Sequence, residues 1–270
     1  MTAYGAAEAL ALATLAAREA GALLLELRRS PAAGVRSKSS ATDLVSEADE
    51  RAEAAIVSAI RRNRPGDAIV AEEGSGARGT SGVSWYVDPL DGTINYLYGI
   101  PHWSVSICCA DGDGALAAVV FDPLREELFS AARGDGAWLG EQRLRVSDKH
   151  DLASSLVATG FGYGAAQRVT QGRIIANVVG EVRDVRRFGS AALDLSWVAA
   201  GRFDAYFESV EKPWDWMAGA MLVREAGGRV TELAPVDPAF PRIIASGPGV
   251  HDALTRLLAN AVHKAENSID

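Results

Sequence analysis

A chain of 270 residues is long enough for one large domain or for two halves packed tightly together. Apolar residues make up 48% and charged residues 23%, which is typical of a globular protein and excludes a disordered chain. The formal net charge is −8 and there is no dense run of Lys or Arg, so we expect no nucleic-acid partner.

The cysteines and the N-terminus predict a cytoplasmic protein with no membrane partner. Cys108 and Cys109 are adjacent in a strand-like run, and neighbouring cysteines rarely pair, so we expect two free, buried thiols. Glu8, Arg18 and Glu19 interrupt the Ala- and Leu-rich start of the chain. That start therefore resembles neither a signal peptide nor a membrane span.

In chain order, the N-terminal half is predicted to hold two helices and then a meander of strands. Good helix formers at residues 6–27 predict a first helix, and Ser46 with Asp49 predicts a capping box at the start of a second. Tight-turn sequences join the following runs, which favours an antiparallel sheet. The runs joined in this way are residues 103–110, 116–121, 127–132 and those from 138 onward. Residues 68–70 and 85–87 are also strand-like, and the Gly- and Ser-rich segment 74–82 separates them.

After residue 150 strand and helix patterns alternate, which predicts a smaller sheet covered by helices. We therefore expect an α+β fold in two halves, residues 1–148 and residues 149–270. Strands are predicted at 156–159, 182–185, 204–207, 229–232 and 243–246, and helices at 165–180, 190–200, 215–226 and 250–261.

The stretch from Asp88 to Thr93 is the most informative part of the chain. Asp88 and Asp91 follow an apolar strand, and buried carboxylates at that point need a counter-charge, for which a hard divalent cation such as Mg²⁺ is suited. Gly92 and Thr93 suit a phosphate bound beside it. The alternative interpretation is an ordinary Asp-Gly turn between two strands.

Two more acidic residues stand at the ends of predicted elements. Glu72 follows the predicted strand 68–70, and Asp215 stands at the start of a predicted helix. Asp215 has an alternative interpretation as a simple N-cap. If all four carboxylates meet in the fold, Glu72 and Asp215 complete the set of cation ligands that Asp88 and Asp91 begin.

These separated motifs resemble the signatures of the inositol monophosphatase family, in that family's order. The resemblance covers roughly residues 36–230 and implies a Mg²⁺-dependent phosphomonoesterase. It also implies a layered αβαβα sandwich, with an antiparallel sheet in the N-terminal half, a smaller mixed sheet in the C-terminal half, and helices between and outside. The residues that carry it are Glu72-Glu73, Asp88-Pro89-Leu90-Asp91-Gly92-Thr93, Trp214-Asp215 with Ala218-Gly219, Lys38, Asp43, Asp49 and Gly189-Ser190-Ala191-Ala192.

The resemblance implies a role for each matching residue. Two or three Mg²⁺ ions would be held by Glu72, Asp88, the carbonyl of Leu90, Asp91 and Asp215. The catalytic set would be Glu72 with Thr93 and Asp49, which would orient and deprotonate the attacking water. The substrate contacts would be Asp91, Gly92, Thr93, Gly189, Ser190, Ala191, Glu208 and Asp215, with Lys38 and Arg187 as further candidates.

Several alternatives stay open at this point. Inositol monophosphate is the substrate we expect first, but relatives also act on fructose 1,6-bisphosphate, histidinol phosphate or 3′-phosphoadenosine 5′-phosphate. A regulatory protein-binding factor is the alternative from another class, because some bacterial relatives act in transcription complexes. The family also implies a homodimer and inhibition by lithium.

Two basic residues and one glycine motif have competing interpretations. Lys38 also fits a solvated lysine, and Arg187 fits a surface arginine or a subunit contact. Residues 160–165 resemble a dinucleotide-binding loop, although the third glycine is displaced by one position. We expect that resemblance to be accidental, since the three acidic motifs explain more of the chain.

Overall fold

The predicted strands assemble into two large sheets in a computed structural model, which describes residues 5–29, 36–37, 44–45, 47–234 and 237–267. The helices are α1 Ala6–Arg28, α2 Glu47–Asn63, α3 Thr93–Leu97, α4 Ala165–Val178, α5 Ala191–Ala199, α6 Pro213–Glu225 and α7 Pro248–Glu266. The strands of the first half are β1 Arg36–Ser37, β2 Leu44–Val45, β3 Ala68–Ala71, β4 Ser84–Asp91, β5 Ser104–Asp111, β6 Gly114–Asp122, β7 Glu127–Ala132, β8 Gly136–Leu139 and β9 Gln142–Arg143. Those of the second half are β10 Leu156–Thr159, β11 Asp184–Arg186, β12 Ala205–Glu208, β13 Arg229–Glu232 and β14 Ile243–Ser246.

The seven-stranded sheet has the order β3-β4-β5-β6-β7-β8-β9. All its neighbouring strands are antiparallel except β3 and β4, which are parallel. The antiparallel meander predicted from residue 103 onward is confirmed, whereas the parallel pairing of β3 with β4 was not predicted. The physical reason is the connection, because residues 72–83 form a crossover rather than a tight turn.

The five-stranded sheet has the order β11-β10-β12-β14-β13 and is mixed, as predicted. Strand β10 pairs in parallel with both β11 and β12, while β14 is antiparallel to both of its neighbours. The β10–α4–β11 segment is a parallel crossover unit.

Alternating side chains assign each face of a sheet to a different layer of helices. In β5, Cys109 packs in the core with α1 and α2, whereas Cys108 packs in the core with α5 and α6. In β12, Tyr206 faces α5 and α6, whereas Phe207 faces α4 and α7. Successive side chains of a strand point to opposite faces, so three apolar cores separate five layers. The predicted αβαβα sandwich is thereby confirmed.

Other local predictions concern the cysteines, the two helix starts and the absence of a membrane span. Cys108 and Cys109 are free and buried, as predicted. Helix α6 begins at Pro213, so Asp215 lies in its first turn and the N-cap interpretation of Asp215 was wrong. Ser46 lies outside the described residues. No described helix combines the length and apolarity needed to span a bilayer.

Candidate active site

The parallel pairing of β3 with β4 brings Glu72 beside Asp88. Ala71 is the register partner of Val87, and the backbone N–H of Glu72 donates to the Val87 carbonyl at 3.2 Å. Because the two strands run in the same direction, their carboxyl ends lie at the same edge of the sheet. An antiparallel β3 would have left Glu72 at the opposite edge.

The end of β4 is bent into a loop that places several polar groups together. The Asp88 carboxylate is 3% exposed and accepts the backbone N–H of Leu90 at 2.9 Å, while the pairing with β5 shifts register between Asp88 and Asp91. Gly92 has a φ of 96°, a left-handed value that favours glycine, and it precedes the start of α3 at Thr93.

Asp49 of α2 lies against this loop. Its carboxylate is fully buried, and its Oδ1 is 3.1 Å from the Thr93 hydroxyl, which can donate to it. The same hydroxyl is 3.1 Å from the Leu90 carbonyl. Asp49 thus lies next to the Thr93 hydroxyl and the start of α3, the arrangement that the resemblance implies.

The first turn of α5 holds Asp91. Ser190 is the N-cap of α5, and its hydroxyl donates to Asp91 Oδ2 at 2.6 Å. The backbone N–H of Ala192 donates to the same oxygen at 2.8 Å. Both donors meet Oδ2, so Oδ1 is the oxygen that would be available to a metal. Ser190, expected to touch substrate, therefore contacts Asp91 directly.

Helix α6 brings the last carboxylate, Asp215, from the C-terminal half of the chain. The Ser106 hydroxyl of β5 donates to the Trp214 carbonyl at 3.1 Å, which fixes the start of α6 against the larger sheet. Among the described residues, none of Asp88, Asp91 and Asp215 forms an ion pair with a basic side chain.

Burial and mutual repulsion raise the pKa values of these carboxyl groups. Burial, followed by the charges of Glu72 and Asp91, raises the pKa of both Asp88 and Asp215 well above the usual range. Burial raises the pKa of Asp91 to about 6, although its hydrogen bonds from Ser190 and Ala192 oppose the rise. The four side chains therefore lie close enough to repel one another.

The donor set fits a hard cation. Within the described residues, no three acidic, imidazole or thiol side chains are drawn together tightly enough to hold a metal ion as they stand. Glu72, Asp88, Asp91 and Asp215 are nevertheless close enough for their charges to act on one another. Their ligand atoms are all oxygens, and a divalent cation such as Mg²⁺ would replace the repulsion by attraction.

Glu208, at the end of β12, joins Glu72, Asp88, Asp91 and Asp215, and the space that these five carboxylates border is called the acidic cleft below. The Tyr206 hydroxyl donates to Glu208 Oε2 at 2.9 Å. Burial raises the pKa of Glu208 to about 7; the bond from Tyr206 and the charge of Arg187 oppose this rise, and Asp194 adds to it. Its charge in turn raises the pKa of Asp91 and Asp215, so Glu208 belongs to the same acidic cluster.

Glu208 also explains the glycine motif at residues 160–165. A Cβ on Gly160 would lie 2.0 Å from the Glu208 carboxyl group, and one on Gly162 would lie 2.0 Å from the Gln167 side chain. The loop does join β10 to α4. However, the space above its glycines is filled by side chains of the protein itself, so these glycines admit Glu208 and Gln167 rather than a pyrophosphate.

Substitution of Gly160 by Ala is expected to displace Glu208. The added methyl group has no room, and forcing it into place costs about 1–3 kcal/mol of the free energy of unfolding. Urea unfolding measures that loss, and Gly172→Ala is the control, because a Cβ on Gly172 in α4 meets nothing within 4 Å. Equal stability of the two variants would contradict the close contact.

The remaining predicted residues border the cleft or fall outside the description. Arg187 is exposed, donates to the Phe161 carbonyl at 3.4 Å and lies over the Phe161 ring at 5.9 Å. Arg187 thus has defined contacts beside Glu208 rather than being an unattached surface arginine. Gly189 and Ala191 flank Ser190 at the start of α5. Lys38 and Asp43 lie outside the described residues.

A cavity of about 1190 Å³ lies elsewhere, and none of the predicted site residues lines it. It opens between residues 143–149 and β11, and its lining mixes acidic and basic side chains. Some of them pair with each other, as Lys149 does with Asp204 at 2.8 Å. Because its four acidic side chains lie among six basic ones, this cavity does not offer a cation the excess of carboxylates found around Asp88, and we place the chemistry there instead.

Sequence reasoning missed three polar residues behind the cleft. Asp194 of α5 is 1% exposed and His102 is 4% exposed, and Asn95 of α3 donates to the carbonyls of His102 and Phe188, both at 2.7 Å. One signal was available, since Asp194 is the only charged residue in the apolar sequence of α5. A lone acid in a buried helix needs an explanation.

The layered fold and the acidic cleft together define the inositol monophosphatase class of proteins. The sequence profile of the inositol monophosphatase family matches residues 6–267. Nus factor SuhB of Escherichia coli strain K12 is 45% identical over 224 residues, which cover 82% of this chain and 84% of that protein. The chain belongs to the inositol monophosphatase family, which supports phosphatase activity.

Two further comparisons agree with this assignment. Inositol-1-monophosphatase of Mycobacterium bovis is 43% identical over 234 residues, which cover 83% of this chain and 81% of that protein. The crystal structure of the extragenic suppressor protein suhB from Bartonella henselae has a TM-score of 0.84 at 37% identity, covering 92% of this chain and 96% of that one. The similarity therefore extends over sequence and fold.

Proposed function

We propose that this protein hydrolyses a small phosphomonoester with Mg²⁺, and that inositol monophosphate is its first substrate. The observation that carries this proposal is the convergence of Asp88 and Asp91 of β4, Asp215 of α6 and Glu72, which follows β3. Burial and the neighbouring charges raise the pKa values of Asp88, Asp91 and Asp215. Proteins retain such mutual repulsion where function needs it. The M. bovis relative, named an inositol-1-monophosphatase, supports the choice of substrate.

Each group has a distinct task in the proposed mechanism. Glu72, Asp88, the Leu90 carbonyl, Asp91 and Asp215 would hold two or three Mg²⁺ ions. Bound Mg²⁺ lowers the pKa of a coordinated water and offsets the negative charge of the phosphate. Thr93, whose hydroxyl donates to Asp49 at 3.1 Å, orients the attacking water, takes up its proton and gives its own hydroxyl proton to the Asp49 carboxylate. Gly92 and Thr93 present backbone N–H groups to the phosphate.

The substrate's alcohol would lie between the metal ligands and the far wall of the cleft. Glu208 accepts a hydrogen bond from a substrate hydroxyl, and Asp91, Asp215, Gly189, Ser190 and Ala191 line the same space. Arg187 borders it, and Lys38 is a further candidate for the phosphate side. A Glu at the Glu208 position favours a polyol, which is why we rank inositol monophosphate above the other phosphates.

Phosphate release across a panel of substrates tests the proposal. The panel contains inositol 1-phosphate, fructose 1,6-bisphosphate, histidinol phosphate and 3′-phosphoadenosine 5′-phosphate, each with Mg²⁺ and with or without Li⁺. We expect the fastest Mg²⁺-dependent turnover with inositol 1-phosphate and inhibition by Li⁺. Absence of turnover with every phosphomonoester would refute the enzymatic role.

Substitution of Glu208 by Gln is expected to separate recognition of the alcohol from the chemistry. Loss of a charged hydrogen bond to a hydroxyl should raise KM for inositol 1-phosphate about tenfold, or ~1.4 kcal/mol. The KM for p-nitrophenyl phosphate, which has no polyol, should stay the same. Glu211→Gln, an exposed residue three positions away, is the matched control. Equal changes for both substrates would argue against a polyol contact.

We infer a second function from the relatives named Nus factor SuhB, which are 45% identical to this chain. On this proposal the protein is a cytoplasmic homodimer that also binds a protein partner in a transcription complex. Recovery of transcription proteins with the Asp215→Asn variant, which lacks activity on the mechanism above, would separate this role from catalysis. A monomer by light scattering would contradict the homodimer.

We also propose that the two halves, residues 1–148 and 149–270, act as separate structural units of one site. The strands of the larger sheet all precede residue 144, and those of the smaller sheet all follow residue 155. Asp88 and Asp91 come from the first half and Asp215 and Glu208 from the second. On this view, the relative position of the halves sets the geometry of the metal ligands.

A further inference from the structure

A buried histidine and a buried aspartate face each other behind the acidic cleft. His102 Nε2 and Asp194 Oδ1 are 3.8 Å apart, and the two residues are 4% and 1% exposed. Within the described residues, neither His102 Nε2 nor either carboxylate oxygen of Asp194 has a hydrogen-bond partner. Buried polar groups are nearly always paired, so these two require an explanation. A small side-chain rotation or one bridging water would join them.

Asp194 lies one turn along α5 from the residues that hold Asp91. Its backbone N–H donates to the Ser190 carbonyl at 3.0 Å. Ser190 Oγ and the Ala192 N–H in turn bind Asp91 Oδ2, at 2.6 and 2.8 Å. Any movement of the start of α5 would therefore move the Asp91 carboxylate.

The main chain at His102 packs against the residues that directly follow Asp91. Its carbonyl accepts Asn95 Nδ2 at 2.7 Å, and a Cβ on Gly92 would lie 3.1 Å from that carbonyl oxygen. Two residues further on, Ser104 is the register partner of Asp91, and its hydroxyl is 3.4 Å from that of Ser190. The main chain at His102 thus packs against the end of β4 and against α3, whereas the His102 side chain packs against α5.

These contacts run from Asp91 through Ser190 and α5 to Asp194, and from His102 through β5 back to Asp91, so that joining His102 to Asp194 across the remaining 3.8 Å would close a ring. We propose that His102 and Asp194 are a positioning pair that locks the first turn of α5 onto Asp91, so that Asp91 Oδ1 stays directed at the metal. This inference rests on the proposed function, because it assumes that Asp91 is a metal ligand. Neither residue touches the substrate or the metal itself.

A double substitution separates positioning from simple structural support. His102→Phe and Asp194→Leu each leave one buried polar group without a partner, so each single variant should have a lower Tm. Phe suits the site because the His102 ring packs 5.0 Å from Phe188 and 5.3 Å from Trp197. The double variant removes both polar groups and should recover most of the wild-type Tm.

Mg²⁺ affinity, measured by calorimetry, is the readout that a structural role would not change. If the pair positions Asp91, the double variant should bind Mg²⁺ about tenfold more weakly than wild type despite its recovered Tm. Asp194→Asn keeps a hydrogen-bond acceptor for His102 and should bind Mg²⁺ as wild type does. A double variant with both wild-type Tm and wild-type Mg²⁺ affinity would overturn the inference.

His251 provides a matched control for a buried histidine. It is 1% exposed, bonds to Thr231 Oγ1 and Ser246 Oγ at 2.8 and 2.9 Å, and lies in the outer layer. His251→Phe should lower Tm and leave Mg²⁺ affinity unchanged. If the wild-type chain binds no Mg²⁺, the proposed function and this inference both fall. If it binds Mg²⁺ and the double variant binds it equally well, only this inference falls.

Discussion

Substitution of Asp215 by Asn is expected to abolish most phosphate release and, without metal, to stabilise the protein. Loss of one charged metal ligand should lower kcat about a thousandfold, equivalent to ~4 kcal/mol. The same substitution removes one of several buried carboxylates that repel each other, since Glu72, Asp91 and Glu208 all raise the pKa of Asp215. In EDTA the free energy of unfolding should then rise by about 2 kcal/mol.

Addition of Mg²⁺ should reverse the order of stability. Wild type gains free energy from each ion that binds only the folded state, whereas the variant, with a weaker site, gains less. The two unfolding curves should therefore cross as Mg²⁺ is raised. Asp113→Asn makes the same chemical change at an exposed turn and should alter neither turnover nor stability. Full turnover by Asp215→Asn would exclude Asp215 as a metal ligand.

The acidic motifs were predictable because each is local. Asp88 and Asp91 stand at the end of an apolar strand, and Glu72 stands at the end of another, so period-two patterns and the cost of burying charge pointed to them. Their convergence was an inference from resemblance, because no local pattern joins residues 72, 91 and 215. The parallel pairing of β3 with β4, which carries Glu72 to Asp88, was missed for the same reason.

The contacts that hold the site were not predictable, because their partners are far apart in sequence. Ser190 was expected to touch substrate, yet its hydroxyl binds Asp91, 99 residues earlier. Gly160 resembled a nucleotide-binding glycine because its real neighbour, Glu208, comes from another strand. A glycine pattern indicates that another group approaches the backbone closely. Only the folded structure shows whether that group is a ligand or a side chain of the protein.

Metal-free protein is also expected to lose stability as the pH rises from about 4 to about 7. Burial raises the folded-state pKa of Asp91 to about 6 and that of Glu208 to about 7, and it also raises the pKa values of Asp88 and Asp215 well above their usual range. In that range the folded state binds more protons than the unfolded state, so the free energy of unfolding falls with rising pH. A shift of two pKa units corresponds to about 3 kcal/mol for one isolated group.

Urea unfolding in EDTA between pH 4.5 and 8 measures this decline. The Asp215→Asn variant should show a shallower decline, because one of the titrating groups is gone and its neighbours repel each other less.

Carboxyl groups with lowered pKa values have the opposite effect on the free energy of unfolding, and only at lower pH. Burial raises the pKa of Asp67, but hydrogen bonds from Arg64, Ser81 and Trp85 lower it overall, so its contribution is lost only as the pH falls below about 4.

Saturating Mg²⁺ should flatten or invert the dependence of the free energy of unfolding on pH, because protons and Mg²⁺ compete for the same carboxylate oxygens. Each proton that Asp91 or Asp215 takes up must leave before a metal can bind. The apparent Mg²⁺ affinity should therefore weaken as the pH falls below about 6, the pKa of Asp91. Calorimetric Mg²⁺ titrations at pH 5.5 and 7.5 should show that weakening together with release of protons. Equal affinity at the two pH values would mean that these carboxyl groups are not the metal ligands.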